Sequence, residues 1–122
     1  MTINKVLLTV LVGLSISLST IALEVGDQAP NFTLEATDGK TYTLEQFHNK
    51  QAIVIAWYPR AFTSGCTIEC KSLAKNGHLL KALDVTYFMA SVDPLETNKE
   101  FAAENEADFP LLSDPSKEVA TA

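Results

Sequence analysis

Residues 52–66 read AIVIAWYPRAFTSGC and contain the features that decide the fold. The run from Ala52 to Tyr58 is continuously apolar and rich in β-branched residues, which predicts a central strand covered on both faces. Pro59 ends this strand, because a proline has no N–H to donate to a neighbouring strand. A loop at 60–65 follows, and a helix is predicted to begin at Cys66. The stretch therefore predicts a strand, a loop and a helix with a cysteine in its first turn.

Strands and helices alternate on both sides of this stretch. Alternating apolar and polar residues flank Asp38-Gly39, which is a strong hairpin signal. The helix from Cys66 to about Leu83 has a weak point at Asn76-Gly77, and its apolar residues recur at roughly helical intervals: Ile68, Leu73, Leu79, Leu80 and Leu83. The later predicted elements are a buried strand at 85–92, a helix at 96–107, a strand at 109–112 and a helix that begins at 117. This order predicts an α/β fold with parallel strands and an active site at their carboxyl ends.

Residues 1–22 are predicted to be a secretory signal peptide, and residues 23–122 a single domain. Lys5 supplies a positive start, residues 6–21 carry no charge, and the small residues Thr20 and Ala22 precede a cleavage point before Leu23. The alternative is an uncleaved anchor helix, although a full span takes about 20 apolar residues. We expect a secreted or periplasmic protein without a stable membrane anchor after cleavage, and a membrane-anchored one if the segment is uncleaved.

The chain is acidic, with 9 Lys and Arg against 15 Asp and Glu and a net charge of -6. Lys5 is the one charged residue of the predicted signal peptide, so cleavage would make the remainder slightly more negative. Phosphate backbones and anionic lipid surfaces are bound mainly by basic groups. The composition therefore argues against nucleic acid or an anionic membrane surface as a partner.

Two cysteines, Cys66 and Cys70, are the residues most suggestive of chemistry. Cysteines four positions apart cannot join distant segments, so they indicate a reaction or a metal rather than a structural crosslink. A thiolate is favoured at a helix N-terminus, where free backbone N–H groups attract negative charge. Thr63 is expected to cap the helix with its hydroxyl, and Gly65 to let a small ligand approach the backbone. The alternative is that Cys66 is only a small apolar residue at a helix start.

Pro59, Thr63 and Cys66 fit the pattern P-x-x-x-T-x-x-C, which resembles the active-site signature of the peroxiredoxins. The stretch WYPRAFTSGCTIEC (57–70) is similar to the peroxiredoxin Q, or bacterioferritin comigratory protein, branch. VGDQAPNFTLEATDGKTYTLEQF (25–47) resembles the family's N-terminal hairpin, and DFPLLSD (108–114) resembles a later strand and turn. The resemblance covers nearly all of 24–120. It implies a thioredoxin-like fold and an antioxidant, thiol-dependent peroxidase.

The resemblance also implies a role for each residue of the signature. The Cys66 thiolate would attack hydrogen peroxide or an organic hydroperoxide and become a sulfenic acid. Thr63 would orient the peroxide, the backbone N–H groups of Gly65 and Cys66 would bind it, and Pro59 would shield the pocket from water. No metal or organic cofactor is implied. A thioredoxin-like protein or another thiol would supply the reducing electrons.

Cys70 is the candidate resolving cysteine, which would condense with the sulfenic acid to form a disulfide. Cβ atoms four residues apart in a helix are about 5–6 Å apart, whereas a disulfide needs about 3.8 Å, so the first turn would have to loosen. The branch commonly places its resolver five residues after the nucleophile, where Lys71 stands here. Cys70 is therefore either a shifted resolver or a buried helix residue.

Two family features have no counterpart in the sequence. Peroxiredoxins use an arginine from a late strand, and Arg60 does not match that position. The chain ends at Ala122 inside a predicted helix, so we expect an incomplete domain whose C-terminal strands and helix, with the family arginine, lie beyond it. The strand at 52–58 would then expose an edge.

A second family also fits the spacing of the cysteines. C-x-x-x-C after a strand resembles the copper-delivering Sco-type proteins, which share the thioredoxin-like fold, and two thiolates with a histidine suit copper. Those proteins usually have prolines directly after both cysteines, where Thr67 and Lys71 stand here. A thioredoxin-type disulfide exchanger is a third alternative, but it has the spacing C-x-x-C.

Overall fold

A computed structural model of the chain describes residues 23–122, so the predicted signal peptide at 1–22 lies outside the described residues. The strands are β1 (Thr33–Ala36), β2 (Thr41–Thr43), β3 (Ala52–Trp57), β4 (Val85–Ser91) and β5 (Leu111–Ser113). The α-helices are α1 (Ser64–Asn76), α2 (His78–Lys81), α3 (Leu95–Glu104) and α4 (Glu118–Thr121), and a 3-10 helix spans Leu44–Gln46. Between residues 23 and 122 no helix has the length and apolar character of a membrane span.

The five strands form one mixed sheet in the order β2-β1-β5-β4-β3. β3, β4 and β5 are parallel, and α1 and α3 lie in the connections between them. β1 pairs antiparallel with both β2 and β5. The turn between β1 and β2 contains Gly39 with φ of 80°, a conformation that glycine adopts without steric cost. The predicted hairpin and the predicted parallel strands are confirmed.

β3 is an edge strand of the described sheet, and the prediction of a central strand covered on both faces is wrong there. It pairs with β4 alone, and the side chains of Val54 and Trp57 are 43% and 41% exposed. The apolar composition of a strand predicts that its side chains are buried, but it does not predict how many neighbouring strands it pairs with. The exposed edge that the family resemblance implied is confirmed.

The two buried residues of α1 are its cysteines. Cys66 is 5% exposed and Cys70 is not exposed at all, whereas Ile68 is 70% exposed. The apolar spacing of the sequence therefore indicated the wrong residues at Ile68, Leu79 and Leu83, which are exposed, whereas Leu73 and Leu80 pack against the core as expected. Positions four apart share one helix face, so burying Cys66 buries Cys70 as well. Both sulfurs pack in a cluster with Tyr58, Phe101 and other residues of β4, α3 and β5.

Gly77 separates α1 from α2, as the Asn76-Gly77 pair predicted. A Cβ atom at this position would overlap the hydroxyl of buried Tyr87 and lie 2.8 Å from the Leu73 carbonyl oxygen. We therefore expect Gly77→Ala to lower the free energy of unfolding by about 1–3 kcal/mol, measured by urea denaturation. Gly65→Ala is the control, because no atom lies within 4 Å of its Cβ position. Equal losses of stability in the two variants would contradict this explanation.

Candidate active site

The candidate site lies where the chain leaves β3 and enters α1. Pro59 follows the strand by two residues, and α1 begins at Ser64, so that Cys66 is the third residue of the helix. The predicted place of Cys66, in the first turn after the carboxyl end of a parallel strand, is confirmed. Its sulfur-bearing side chain is buried, whereas the backbone around Gly65 is exposed.

The first turn of α1 presents backbone N–H groups without partners. The first hydrogen bond of the helix runs from the Thr67 N–H to the Thr63 carbonyl oxygen, at 2.9 Å. The N–H groups of Ser64, Gly65 and Cys66 have no acceptor among residues 23–122. Free N–H groups at a helix N-terminus bind anionic oxygen and stabilise negative charge. A thiolate and a reacting oxygen would both be favoured here.

Thr63 is the N-cap residue of α1 by its extended backbone, with φ of −81° and ψ of 154°. Its side chain makes no capping hydrogen bond, so the prediction that its hydroxyl caps the helix is wrong. Thr63 Oγ1 instead donates to the Arg60 carbonyl oxygen at 3.0 Å. Because the one hydroxyl hydrogen is used in that bond, the oxygen lone pairs are free to accept a hydrogen bond from a ligand.

Gly65 and Pro59 both border open space. Apart from its chain neighbours and the backbone of its own helix, no atom lies within 4 Å of the Cβ position of Gly65, so a small ligand can reach the helix backbone there. Pro59 lines an apolar cavity of about 570 Å³ together with Trp57, Tyr58 and residues of α4. Cys66 does not line this cavity. The shielding role of Pro59 and the binding role of Gly65 stay predictions.

Cys70 is a protonated thiol in the described conformation. Burial, with a smaller contribution from the neighbouring Glu69 carboxylate, raises its pKa to about 11. Both cysteines are free rather than joined in a disulfide. Because the thiolate is the reactive form, Cys70 can attack a sulfenic acid only after α1 loosens and exposes it. The resolving role of Cys70 stays a prediction that requires this movement.

Because burial raises the pKa of the Cys70 thiol, we expect the free energy of unfolding to decrease at alkaline pH. The pKa of Cys70 is about 11 in the fold against 9.0 for a free thiol, so the unfolded chain releases its proton first. The stabilisation is complete below pH 9 and is lost as the pH rises towards 11. We expect the free energy of unfolding of wild type to fall more steeply over this range than that of Cys70→Ala. Tyr42 and Tyr58, whose pKa values burial also raises, are present in both proteins, and the part of the Tyr58 shift that comes from Cys70 is lost with it. Parallel curves would contradict this account.

A buried polar network beside the site was missed in the sequence. Tyr58 Oη donates to Asn98 Oδ1 at 2.6 Å, and Asn98 Nδ2 donates to Ser113 Oγ at 2.8 Å. The hydroxyl of Ser91 lies 3.1 Å from Asn98 Oδ1. The network thus joins the ends of the three parallel strands. The sequence did contain a signal for this network. A serine ends each of the apolar strands β4 and β5, and an asparagine lies on the buried face of α3, one turn before Phe101.

Three further polar side chains lie at the surface. Arg60, His48 and His78 are exposed. Within residues 23–122 no group of three or more His, Cys, Asp or Glu side chains is arranged to hold a metal ion.

Comparison with known proteins gives consistent matches. Residues 25–122 match the AhpC/TSA family. Over 98 residues the chain is 37% identical to a putative peroxiredoxin bcp of Haemophilus influenzae, and over 97 residues it is 36% identical to peroxiredoxin Bcp of Escherichia coli. Each match covers 80% of this chain, and the chain spans 63% and 62% of the length of these two relatives.

Solved structures show the same fold. Peroxidoxin BcpB of Mycobacterium tuberculosis superposes with a TM-score of 0.72 at 29% identity, covering 78% of this chain and 62% of that one. Peroxiredoxin Q of Xanthomonas campestris superposes with a TM-score of 0.70 at 26% identity, covering 75% of this chain and 57% of that one. The thioredoxin-like fold expected from the sequence is therefore confirmed. None of the proteins named here is a copper carrier, so these matches do not support the Sco-type alternative.

Proposed function

Because the chain belongs to the AhpC/TSA family of peroxiredoxins, we propose that it is a thiol-dependent peroxidase with Cys66 as the nucleophile. The observation that carries this proposal is the position of Cys66 in a helix turn that offers three free backbone N–H groups. These groups favour both the attacking sulfur anion and the oxygen on which negative charge develops. Hydrogen peroxide and organic hydroperoxides are the proposed substrates, and antioxidant defence is the proposed role.

The proposed reaction transfers two electrons from sulfur to the peroxide. The Cys66 thiolate attacks one peroxide oxygen, an S–O bond forms and the O–O bond breaks. The second oxygen leaves with the bonding electron pair and takes up a proton to become water or an alcohol, and Cys66 becomes a sulfenic acid. The N–H groups of Gly65 and Cys66 would bind the peroxide, and Thr63 Oγ1 would accept a hydrogen bond from its O–H.

Cys70 is the proposed resolving thiol. Its sulfur would attack the Cys66 sulfenic acid to form a disulfide and release water. The full burial of Cys70 means that the first turn of α1 must open before this step. A thioredoxin-like protein or another dithiol would then reduce the disulfide by thiol exchange and regenerate both thiols.

Mass spectrometry of the full chain tests both proposals. One equivalent of hydrogen peroxide is added to the reduced protein, with and without dimedone, which traps sulfenic acids. We expect a dimedone adduct on Cys66, and without the trap an intramolecular disulfide in wild type but not in Cys70→Ala. Absence of any Cys66 oxidation would overturn the peroxidase. Cys66 oxidation without a disulfide would overturn the resolving role alone.

We also propose that residues 1–22 direct export and are removed. The pattern of Lys5, an uncharged apolar stretch and small residues at Thr20 and Ala22 supports this proposal. N-terminal sequencing of the protein from a bacterial periplasmic fraction should give Leu23 as the first residue. Recovery of the chain with Met1 in the membrane fraction would indicate an uncleaved anchor instead.

A further inference from the structure

We propose that Asp93 is a positioning residue for the loop at 59–63, an inference that rests on the peroxidase function proposed above. The backbone N–H of Ala61 donates to Asp93 Oδ2 at 2.8 Å, across 32 positions in the sequence. Apart from the first hydrogen bond of α1, this is the one hydrogen bond that ties the 59–63 backbone to another part of the described chain. Asp93 therefore fixes the segment that leads directly to Thr63 and Cys66.

The carboxylate of Asp93 is itself held in place. Ser91 Oγ donates to Asp93 Oδ2 at 3.0 Å, and the backbone N–H of Asp93 donates back to Ser91 Oγ at 3.2 Å. Ser91 lies at the end of β4 and is fully buried, and its hydroxyl also contacts the Asn98 network. Tyr58 precedes Pro59 and is hydrogen-bonded to Asn98, and Ala61 follows Arg60 and is hydrogen-bonded to Asp93. Because Ser91 contacts both Asn98 and Asp93, the two ends of this segment are held by one connected group of side chains.

The conformation of the loop needs such an anchor. Phe62 has φ of 64°, in the left-handed region that a residue with a side chain occupies only at a free-energy cost. Backbone of this kind persists where surrounding contacts hold it, and it is concentrated at functional sites. The Phe62 ring packs edge-on against Phe101 with centroids 5.3 Å apart. The hydrogen bond from Ala61 to Asp93 fixes the peptide group between Arg60 and Ala61, one residue before Phe62.

The contact that Asp93 makes with the loop is a hydrogen bond to one acceptor oxygen, and a neutral carbonyl oxygen can also accept it. If Asp93 acts through geometry alone, a neutral side chain of the same shape with a carbonyl oxygen should replace it. Asp93→Asn keeps an acceptor for the Ala61 N–H, whereas Asp93→Ala has none. The two variants therefore separate positioning from charge.

Asp114 provides a matched control. It follows β5 as Asp93 follows β4, and it accepts a backbone N–H from Ala120 at 2.8 Å and a serine hydroxyl from Ser116 at 3.1 Å. Its contacts hold the start of α4 rather than the 59–63 loop. Asp114→Ala therefore removes an equivalent pair of hydrogen bonds without touching the backbone before Cys66.

The test measures the second-order rate constant for oxidation of Cys66 by hydrogen peroxide in the full chain. We expect Asp93→Ala to be slower than wild type by about tenfold to a hundredfold, since small misplacements of reacting groups cost this much. Asp93→Asn and Asp114→Ala should stay within about threefold of wild type. An unchanged rate in Asp93→Ala, or an equal loss in Asp114→Ala, would overturn the inference. If Asp93→Ala does not fold, Ser91→Ala is expected to slow the reaction severalfold, and an unchanged rate there would overturn it.

Amide hydrogen exchange at Ala61, followed by NMR, provides a readout that does not depend on activity. Exchange should be faster in Asp93→Ala than in wild type and close to wild type in Asp93→Asn. If wild type does not react with hydrogen peroxide, the proposed peroxidase function fails. The exchange rates of the Ala61 amide then still test whether Asp93 positions the loop. Equal exchange in wild type and Asp93→Ala would overturn it.

Discussion

Cys66→Ser is expected to abolish peroxide reduction, with a fall in rate of about a thousandfold or more. A serine hydroxyl is not ionised near neutral pH and is a far weaker nucleophile than a thiolate, so the S–O bond cannot form. Serine is nearly the size of cysteine, and the 5% exposed site can accommodate it without a large loss of stability. The measurement is peroxide consumption by the reduced full chain, followed with a colorimetric peroxide assay.

Cys70→Ala is the matched control for this substitution, because it removes the other buried thiol of the same helix face. It should consume one equivalent of peroxide as fast as wild type, and both proteins should then stop until a thiol such as dithiothreitol reduces the Cys66 sulfenic acid of the variant or the disulfide of wild type. Substantial peroxide consumption by Cys66→Ser, or a loss as large in Cys70→Ala, would contradict the assignment of Cys66 as nucleophile.

Phe101→Ala is expected to give a large loss of stability, about 3–5 kcal/mol in the free energy of unfolding. Phe101 is fully buried on α3, and its ring contacts those of Tyr58 and Phe62 at centroid distances of 5.5 and 5.3 Å. The substitution leaves a cavity beneath the 59–63 loop and removes the packing that holds Phe62. Urea denaturation measures the stability, and the rate of Cys66 oxidation in the folded fraction should fall as well.

Phe88→Ala is the control for Phe101→Ala, because Phe88 is also fully buried but packs in the cluster on the other face of the sheet. It should cost a similar amount of stability and leave the rate of Cys66 oxidation in the folded fraction unchanged. If both variants slowed Cys66 equally, the loop would be responding to general destabilisation rather than to its own contacts.

Local patterns in the sequence were sufficient for much of the fold. Asp38-Gly39 marked the hairpin, Gly77 the break after α1, and the apolar run at 52–58 a strand that leads to Cys66. These features depend on backbone preferences and on short-range spacing, which a single sequence contains. The candidate nucleophile was predictable for the same reason, since strand, loop and helix start are contiguous in the chain.

Features that depend on distant contacts could not be predicted in this way. The edge position of β3 follows from which strands pair, and the burial of Cys70 instead of Ile68 follows from how α1 rotates against the sheet. Thr63 had the residue type of a capping side chain, but its hydroxyl found the nearby Arg60 carbonyl oxygen. The bond between Ala61 and Asp93 has no local signal, because its partners are 32 residues apart.

The rate at which Cys66 reacts with hydrogen peroxide tests the central claim most directly. In Cys70→Ala, Cys66 is the only thiol of the chain, so stopped-flow measurement of its oxidation has one source of signal. We expect a second-order rate constant at least about a hundredfold above that of free cysteine at the same pH, which is the scale of one well-placed set of oxyanion donors. A rate constant equal to that of free cysteine, in a variant shown to be folded by circular dichroism, would contradict the claim.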